Sequence, residues 1–130
     1  MTQSTIFVLM PFAKKYDDRY KLGIKQPLED MGLKCERVDE KIFVGDILSQ
    51  IIDNIKKADL VIADMTGSNP NVLYEVGFAH AIRGETTILI TEDVKYIPSD
   101  LRGINHIVYG ESIVKLKTNL VRAVKRLINK

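Results

Sequence analysis

Ala58-Asp-Leu-Val-Ile-Ala-Asp64, followed by Asn69-Pro-Asn-Val-Leu-Tyr-Glu75-Val-Gly-Phe-Ala-His80, is the stretch that decides how this chain folds. Its first part carries the continuous apolar run Leu60–Ala63 closed by Asp64, the pattern of a strand covered on both faces of a parallel sheet. Thr66–Asn71 is dense in turn formers. Asn69 suits an N-cap and Pro70 the first helical position, where its missing N–H costs nothing. The spacing predicts a helix from about Pro70 to Arg83, with Val72, Val76, Ala79 and Arg83 along one stripe.

The same alternation extends outward in both directions. Ile6–Met10 is an apolar run stopped by Pro11, a second buried strand. Asp17 is placed to cap a helix running to about Met31, with Tyr20, Ile24 and Leu28 inward and Gly32 at its end. Pro27 predicts a kink or a new helical segment there. Lys34–Val38 reads as a strand. Gly45-Asp46 opens a helix whose Ile47, Ile51 and Ile55, with Leu48 and Ile52, are expected to face the core. Thr86–Thr91 and His106–Tyr109 are the remaining strands, with a short turn at Ser99–Arg102 between them. A last helix is expected over Ser112–Ile128. Strictly alternating strands and helices imply right-handed crossovers and an α/β, three-layer flavodoxin-like (Rossmann-like) fold with a five-stranded parallel sheet. The expected order is 2-1-3-4-5, which places a ligand beyond the carboxyl ends of the first and third strands.

A length of 130 residues fits one domain spanning 1–130, and 45% hydrophobic residues exclude a disordered chain. A formal net charge of +2 is too small to argue for nucleic acid or an anionic membrane surface as partner. Lys115, Lys117, Arg122, Lys125, Arg126 and Lys130 recur along the last helix, as a solvated face or an anion-binding patch. Cys35 is the single cysteine, in a strand-like run without CxxC or zinc spacing, and reads as packing. The first apolar run is too short to span a bilayer, so a cytoplasmic protein is expected. His80 and His106 share no ligand spacing, and no metal is expected.

Three features converge on the predicted site. Met10-Pro11-Phe12 ends the first strand, with Phe12 either stacking on a base or sugar or plugging the sheet edge. Arg37-Val38-Asp39-Glu40 ends the second, and Asp39 is the better placed of its two carboxylates to accept ribose hydroxyls. Asp64 ends the third, where a buried carboxylate needs the amides of the following loop or a ligand. The free amides of the next helix make an anion-friendly pocket. Glu75 is expected at the end of that first turn, beside the core, with its head in the cleft. There it either complements the helix dipole or serves as an ionised carboxylate, a nucleophile or stabiliser of an oxocarbenium-like centre. Gly77 permits close backbone approach, and His80 reads as packed or partly exposed.

Leu9-Met-Pro-Phe12, Asp17-Asp-Arg-Tyr20, Arg37-Val-Asp-Glu40, Gly45-Asp-Ile47, Ala58–Asp64 and Asn69–His80, in this order and spacing, resemble the nucleoside 2-deoxyribosyltransferase-like proteins. That family belongs to the same broad structural group as Toll/interleukin-1 receptor (TIR) domains. The resemblance covers nearly the whole chain and is most specific from Ala58 to Ala81. It implies that Glu75, in Glu75-Val-Gly-Phe-Ala79, is the nucleophile that attacks an anomeric carbon. It also implies that Asp64 binds the sugar or protonates the departing base. Met10, Pro11, Phe12, Asp39, Gly45, Asn69 and Asn71 are then the expected substrate-binding positions. The transferases carry an Asp-x-Gly-Thr segment before the glutamate, whereas this chain has Ser68-Asn-Pro-Asn-Val72, which leaves the sugar open. TIR domains that cleave NAD use a glutamate on the corresponding helix, so the resemblance allows NAD as a substrate and requires no cofactor. The expected partner is a small nucleoside or nucleotide, and the family's habits imply a homo-oligomer. Two functions follow: an enzyme acting on an N-glycosidic bond, or a non-catalytic nucleotide-binding or signalling module.

Overall fold

The computed structural model describes residues 3–38 and 46–128. Five strands, β1 (Thr5–Leu9), β2 (Lys34–Arg37), β3 (Leu60–Asp64), β4 (Thr87–Thr91) and β5 (His106–Val108), form one sheet in the order β2-β1-β3-β4-β5. All four pairings are parallel, with Ile6 opposite both Cys35 and Leu60, and Ile62 opposite Ile88. This is the expected topology, switch point included. The central strands are buried along their whole length, which is why they read as unbroken apolar runs rather than alternating ones.

The period of two along each strand divides the core into two layers. Ile6, Val8, Leu60, Ile62, Ile88 and Ile90 face one side, against Tyr20, Ile24 and Leu28 and against Leu116, Leu120 and Val124. The last three lie on helix α4 (Ile113–Ile128). Phe7, Leu9, Val61, Ala63 and Leu89 face the other side. There they meet Ile51 and Ile55 of α2 (Ile47–Lys57) and Val72, Val76 and Ala79 of α3 (Pro70–Arg83). Arg83 ties these two helices together, its Nη1 donating to the carbonyls of Ile55 (3.1 Å) and Lys56 (3.2 Å) at the end of α2.

The helical stretch after β1 takes up a new segment at Pro27, as expected, and the part before it is π-helical. Arg19–Lys25 is π-helical and passes into a single α-turn, α1 (Gln26–Glu29), with Pro27 in its first turn. Proline supplies no N–H, so the hydrogen-bond pattern changes where it enters. Asp17 does not cap this stretch with its side chain. Its Oδ1 instead accepts from the Arg37 guanidinium at 3.3 Å, and that guanidinium lies 4.6 Å from the Tyr20 ring centroid. The turn closes on Gly32 at φ 85°, where Leu33 N–H reaches back to the Leu28 carbonyl. No helix among the described residues is long and apolar enough to cross a membrane.

Candidate functional site

The loops leaving β1 and β3 open on the side of the sheet covered by α2 and α3. Between them lies a cavity of about 670 Å³ lined by Met10, Pro11, Phe12, Ile47, Leu48, Ile51, Asn69, Asn71, Val72, Tyr74 and Glu75. That is the size of a small-molecule site.

Local sequence builds each wall. Pro11 breaks β1, and Phe12 emerges 59% exposed at the mouth. After β3 the chain turns through Thr66–Ser68, with Gly67 at φ 80° and Ser68 at φ 50°. Glycine adopts such a backbone freely, whereas serine must be held in it. The turn delivers Asn69, whose side-chain oxygen accepts from the amides of Asn71 (2.9 Å) and Val72 (3.3 Å). This is the expected N-cap, and α3 begins at Pro70.

Glu75 is the carboxylate among the cavity's described residues. It stands sixth in α3, beyond the first turn, which contains no acid. The expectation that the helix dipole would hold it ionised is corrected accordingly, since that effect fades within one turn. Burial instead pushes its carboxyl up from 4.5 to about 7. No hydrogen bond or ion pair to it is found among the described residues. The arrangement is a half-buried carboxyl that changes charge near neutral pH, facing an apolar, aromatic-rimmed space.

The structure separates Asp64 from this group. Asp64 is fully buried and is not among the cavity's lining residues. Its carboxylate accepts from the Tyr109 hydroxyl at 2.7 Å and the Thr66 amide at 3.0 Å, in the layer where Tyr109 packs with Tyr16 and Tyr20. Desolvation raises its pKa, and the Thr66 and Tyr109 hydrogen bonds oppose that rise. Met10, Pro11, Phe12, Asn69, Asn71 and Glu75 are brought together as expected. Asp39, Glu40 and Gly45 lie outside the described residues. His80 is exposed near the end of α3 and lines a different hollow with Glu85 and Asp100. No group of three metal-ligating side chains occurs among the described residues.

The sequence pattern puts the first turn of α2 against the core. Ile47 and Leu48 are instead 58% and 42% exposed and form the cavity wall with Ile51. Their signal was two adjacent apolar residues directly after the Asp46 cap, wider than one stripe needs. Tyr74, 61% exposed beside Glu75, carried its signal in being aromatic off the buried stripe.

A family model described as "CAP12/Pycsar effector protein, TIR domain" matches residues 8–111. No curated protein matches the chain. Among solved structures, a 2-deoxyribosyltransferase from Bacillus psychrosaccharolyticus is similar with a TM-score of 0.67 and 16% identity, over 88% of this chain and 90% of that one. A de novo designed Rossmann 2x3 protein gives 0.62 at 13% identity, over 96% and 91%. A diflavin flavoprotein from Nostoc sp. gives 0.58 at 15%, over the whole of both chains. At these identities the structural likeness is one of fold. The resemblance read from the sequence, to the deoxyribosyltransferase-like proteins and through them to TIR domains, is met on both sides.

Proposed function

The chain belongs to the CAP12/Pycsar effector TIR-domain family, and on that premise we propose that it breaks the N-glycosidic bond of a nucleotide at the Glu75 cavity. The observation that carries this reading is Glu75 itself. A carboxylate with no protein partner among the described residues faces a cavity of about 670 Å³ with a largely apolar lining. In such a setting its field on a developing cation is strong.

The reaction has simple bookkeeping. The bond from sugar C1 to the base nitrogen breaks, and its electron pair leaves with the base. Ionised Glu75 either stabilises the oxocarbenium-like centre or bonds to C1 as nucleophile. Water then supplies the new C1–O bond and gives its proton to solvent, or another base takes its place in a transfer. Phe12 and Tyr74 stack on the base, while Asn69 and Asn71 bind the sugar. Asp39, outside the described residues, is the candidate for the ribose hydroxyls.

Membership of a TIR family favours an NAD-like dinucleotide, cleaved by water, over 2-deoxyribosyl transfer. Its pyridinium nitrogen departs neutral without needing a proton, so Glu75 is sufficient for the bond-breaking step. NAD is then a substrate, and no cofactor is required. A single domain acting in the cytoplasm as a homo-oligomer completes the proposal, with the exposed apolar rim of Phe12, Ile47, Leu48 and Tyr74 as a surface that a neighbour would cover.

The test is chromatography after incubation with NAD, deoxynucleosides and deoxynucleotides, singly and in donor–acceptor pairs. Nicotinamide released from NAD supports the hydrolytic reading. Base exchange between deoxynucleosides supports the transferase reading in its place. Ligand binding without any product leaves a non-catalytic nucleotide-binding module.

A further inference from the structure

Asp64 is buried on the far side of the sheet from the cavity, where the reaction proposed above gives its carboxylate no contact with substrate. A buried carboxylate is costly to keep, and its surroundings indicate what it does. Its Oδ1 accepts the Thr66 amide at 3.0 Å and its Oδ2 accepts the Tyr109 hydroxyl at 2.7 Å. Arg19 donates to the same Tyr109 oxygen at 3.2 Å and pairs with Glu92. Thr66 is gripped at every polar atom. Its Oγ1 accepts the Glu92 amide at 2.9 Å and lies 3.4 Å from the Tyr109 hydroxyl, and its carbonyl accepts the Tyr16 hydroxyl at 3.5 Å.

Thr66 begins the turn in which Ser68 holds a left-handed backbone. Ser68 is fixed in turn by its Oγ donating to the Tyr96 carbonyl at 2.8 Å. A non-glycine residue stays in that region when its surroundings over-determine it. The next residue is Asn69, which caps α3 and lines the cavity. We infer that Asp64 and Tyr109 are positioning residues: from the opposite face of the sheet they hold the Thr66–Ser68 turn, and through Asn69 they set the turns of α3 that carry Glu75 into the cavity. The inference rests on Glu75 as the reacting group, and it replaces direct contact of Asp64 with the sugar or base.

Among the described residues, few groups bear on the Glu75 carboxyl. Tyr74 is the other titratable side chain among the described lining residues, and burial alone accounts for the raised Glu75 pKa. A relaxed α3 terminus admits water beside the carboxyl and brings its pKa down.

The experiment is an NMR titration of the Glu75 carboxyl in the full chain, for wild type, Tyr109→Phe, Asp64→Asn and Ile88→Val. Ile88→Val trims the same core layer and removes no polar group that holds the loop, and Tyr109→Phe removes one hydroxyl and keeps the ring. Tyr109→Phe is expected to lower the Glu75 midpoint by about one unit or more, with Asp64→Asn, where it folds, doing the same. Ile88→Val is expected to leave it in place. In the base-release assay, Tyr109→Phe should lower kcat about tenfold while KM stays within about twofold. An unchanged midpoint in Tyr109→Phe, or an equal shift in Ile88→Val, overturns the positioning role. The titration needs no turnover, so a shifted midpoint in a protein that releases no base supports the positioning role and counts against the proposed reaction alone.

Discussion

Asp64 and Glu75, the two acids that the sequence pairs in one motif, face opposite sides of the sheet. Asp64 is bonded to Tyr109 in the layer of α4, while Glu75 lines the cavity under α2 and α3. One acid therefore organises the loop and the other faces the ligand space. The consequences can be measured separately.

Removing the cap should weaken α3 where it meets the cavity. Asn69→Ala loses the acceptor for the Asn71 and Val72 amides and is expected to cost about 1 kcal/mol, within a range of roughly 0.5–2. That corresponds to a Tm lower by about 3–5 °C for a chain of this size. Asn69→Asp keeps an acceptor and should retain most of the stability. Thermal unfolding followed by circular dichroism measures both.

The raised Glu75 pKa ties stability to pH. Between 4.5 and about 7 the folded protein keeps a proton that the unfolded chain has lost, so this group's contribution falls as pH rises through that window. Asn, Gln and other neutral groups do not titrate there. Glu75→Gln should therefore match wild type near pH 4.5 and become the more stable of the two above pH 7. Urea unfolding of both proteins at several pH values measures the difference. Catalysis should run the other way, because the reaction needs the ionised carboxylate. The rate should rise with pH through about 7, and a rate that falls there would assign Glu75 as a proton donor instead.

The aromatic rim should affect binding without affecting folding. Phe12 and Tyr74 are both more than half exposed, so Phe12→Ala and Tyr74→Ala should change stability by less than about 0.5 kcal/mol. Loss of a stacking surface should raise KM or Kd about tenfold for each, in line with about 1–3 kcal/mol per stacked base. Calorimetric titration with nucleotide, beside a melting curve, separates the two effects.

Much of this architecture was legible because burial on both faces leaves a simple signature. Ile6–Met10 and Thr86–Thr91 read as central strands and each is one to within a residue, while Ala58–Asp64 holds β3 at Leu60–Asp64. Asn69-Pro70 announced α3 through local chemistry, and the strand order followed from alternation and handedness. Periodicity was blind to side-chain partners distant in sequence. Asp17 lies next to a helical segment yet binds Arg37, and Asp64 ends a strand beside the switch point yet binds Tyr109, which is 45 positions away. It also cannot tell an apolar cavity wall from an apolar core wall, so Ile47 and Leu48 read as inward-facing. The π-helical turn at Arg19–Lys25 leaves no mark in a 3.6-residue count beyond Pro27 itself.

The most direct test of the account is release of free base by wild type and by Glu75→Gln, with both shown to be folded by circular dichroism. The near-isosteric change removes the charge and keeps the shape. Wild type is expected to release base from NAD or a nucleoside, and Glu75→Gln to lose about 10²–10³-fold or more of that rate. Base release at the wild-type rate by folded Glu75→Gln would contradict Glu75 as the reacting group.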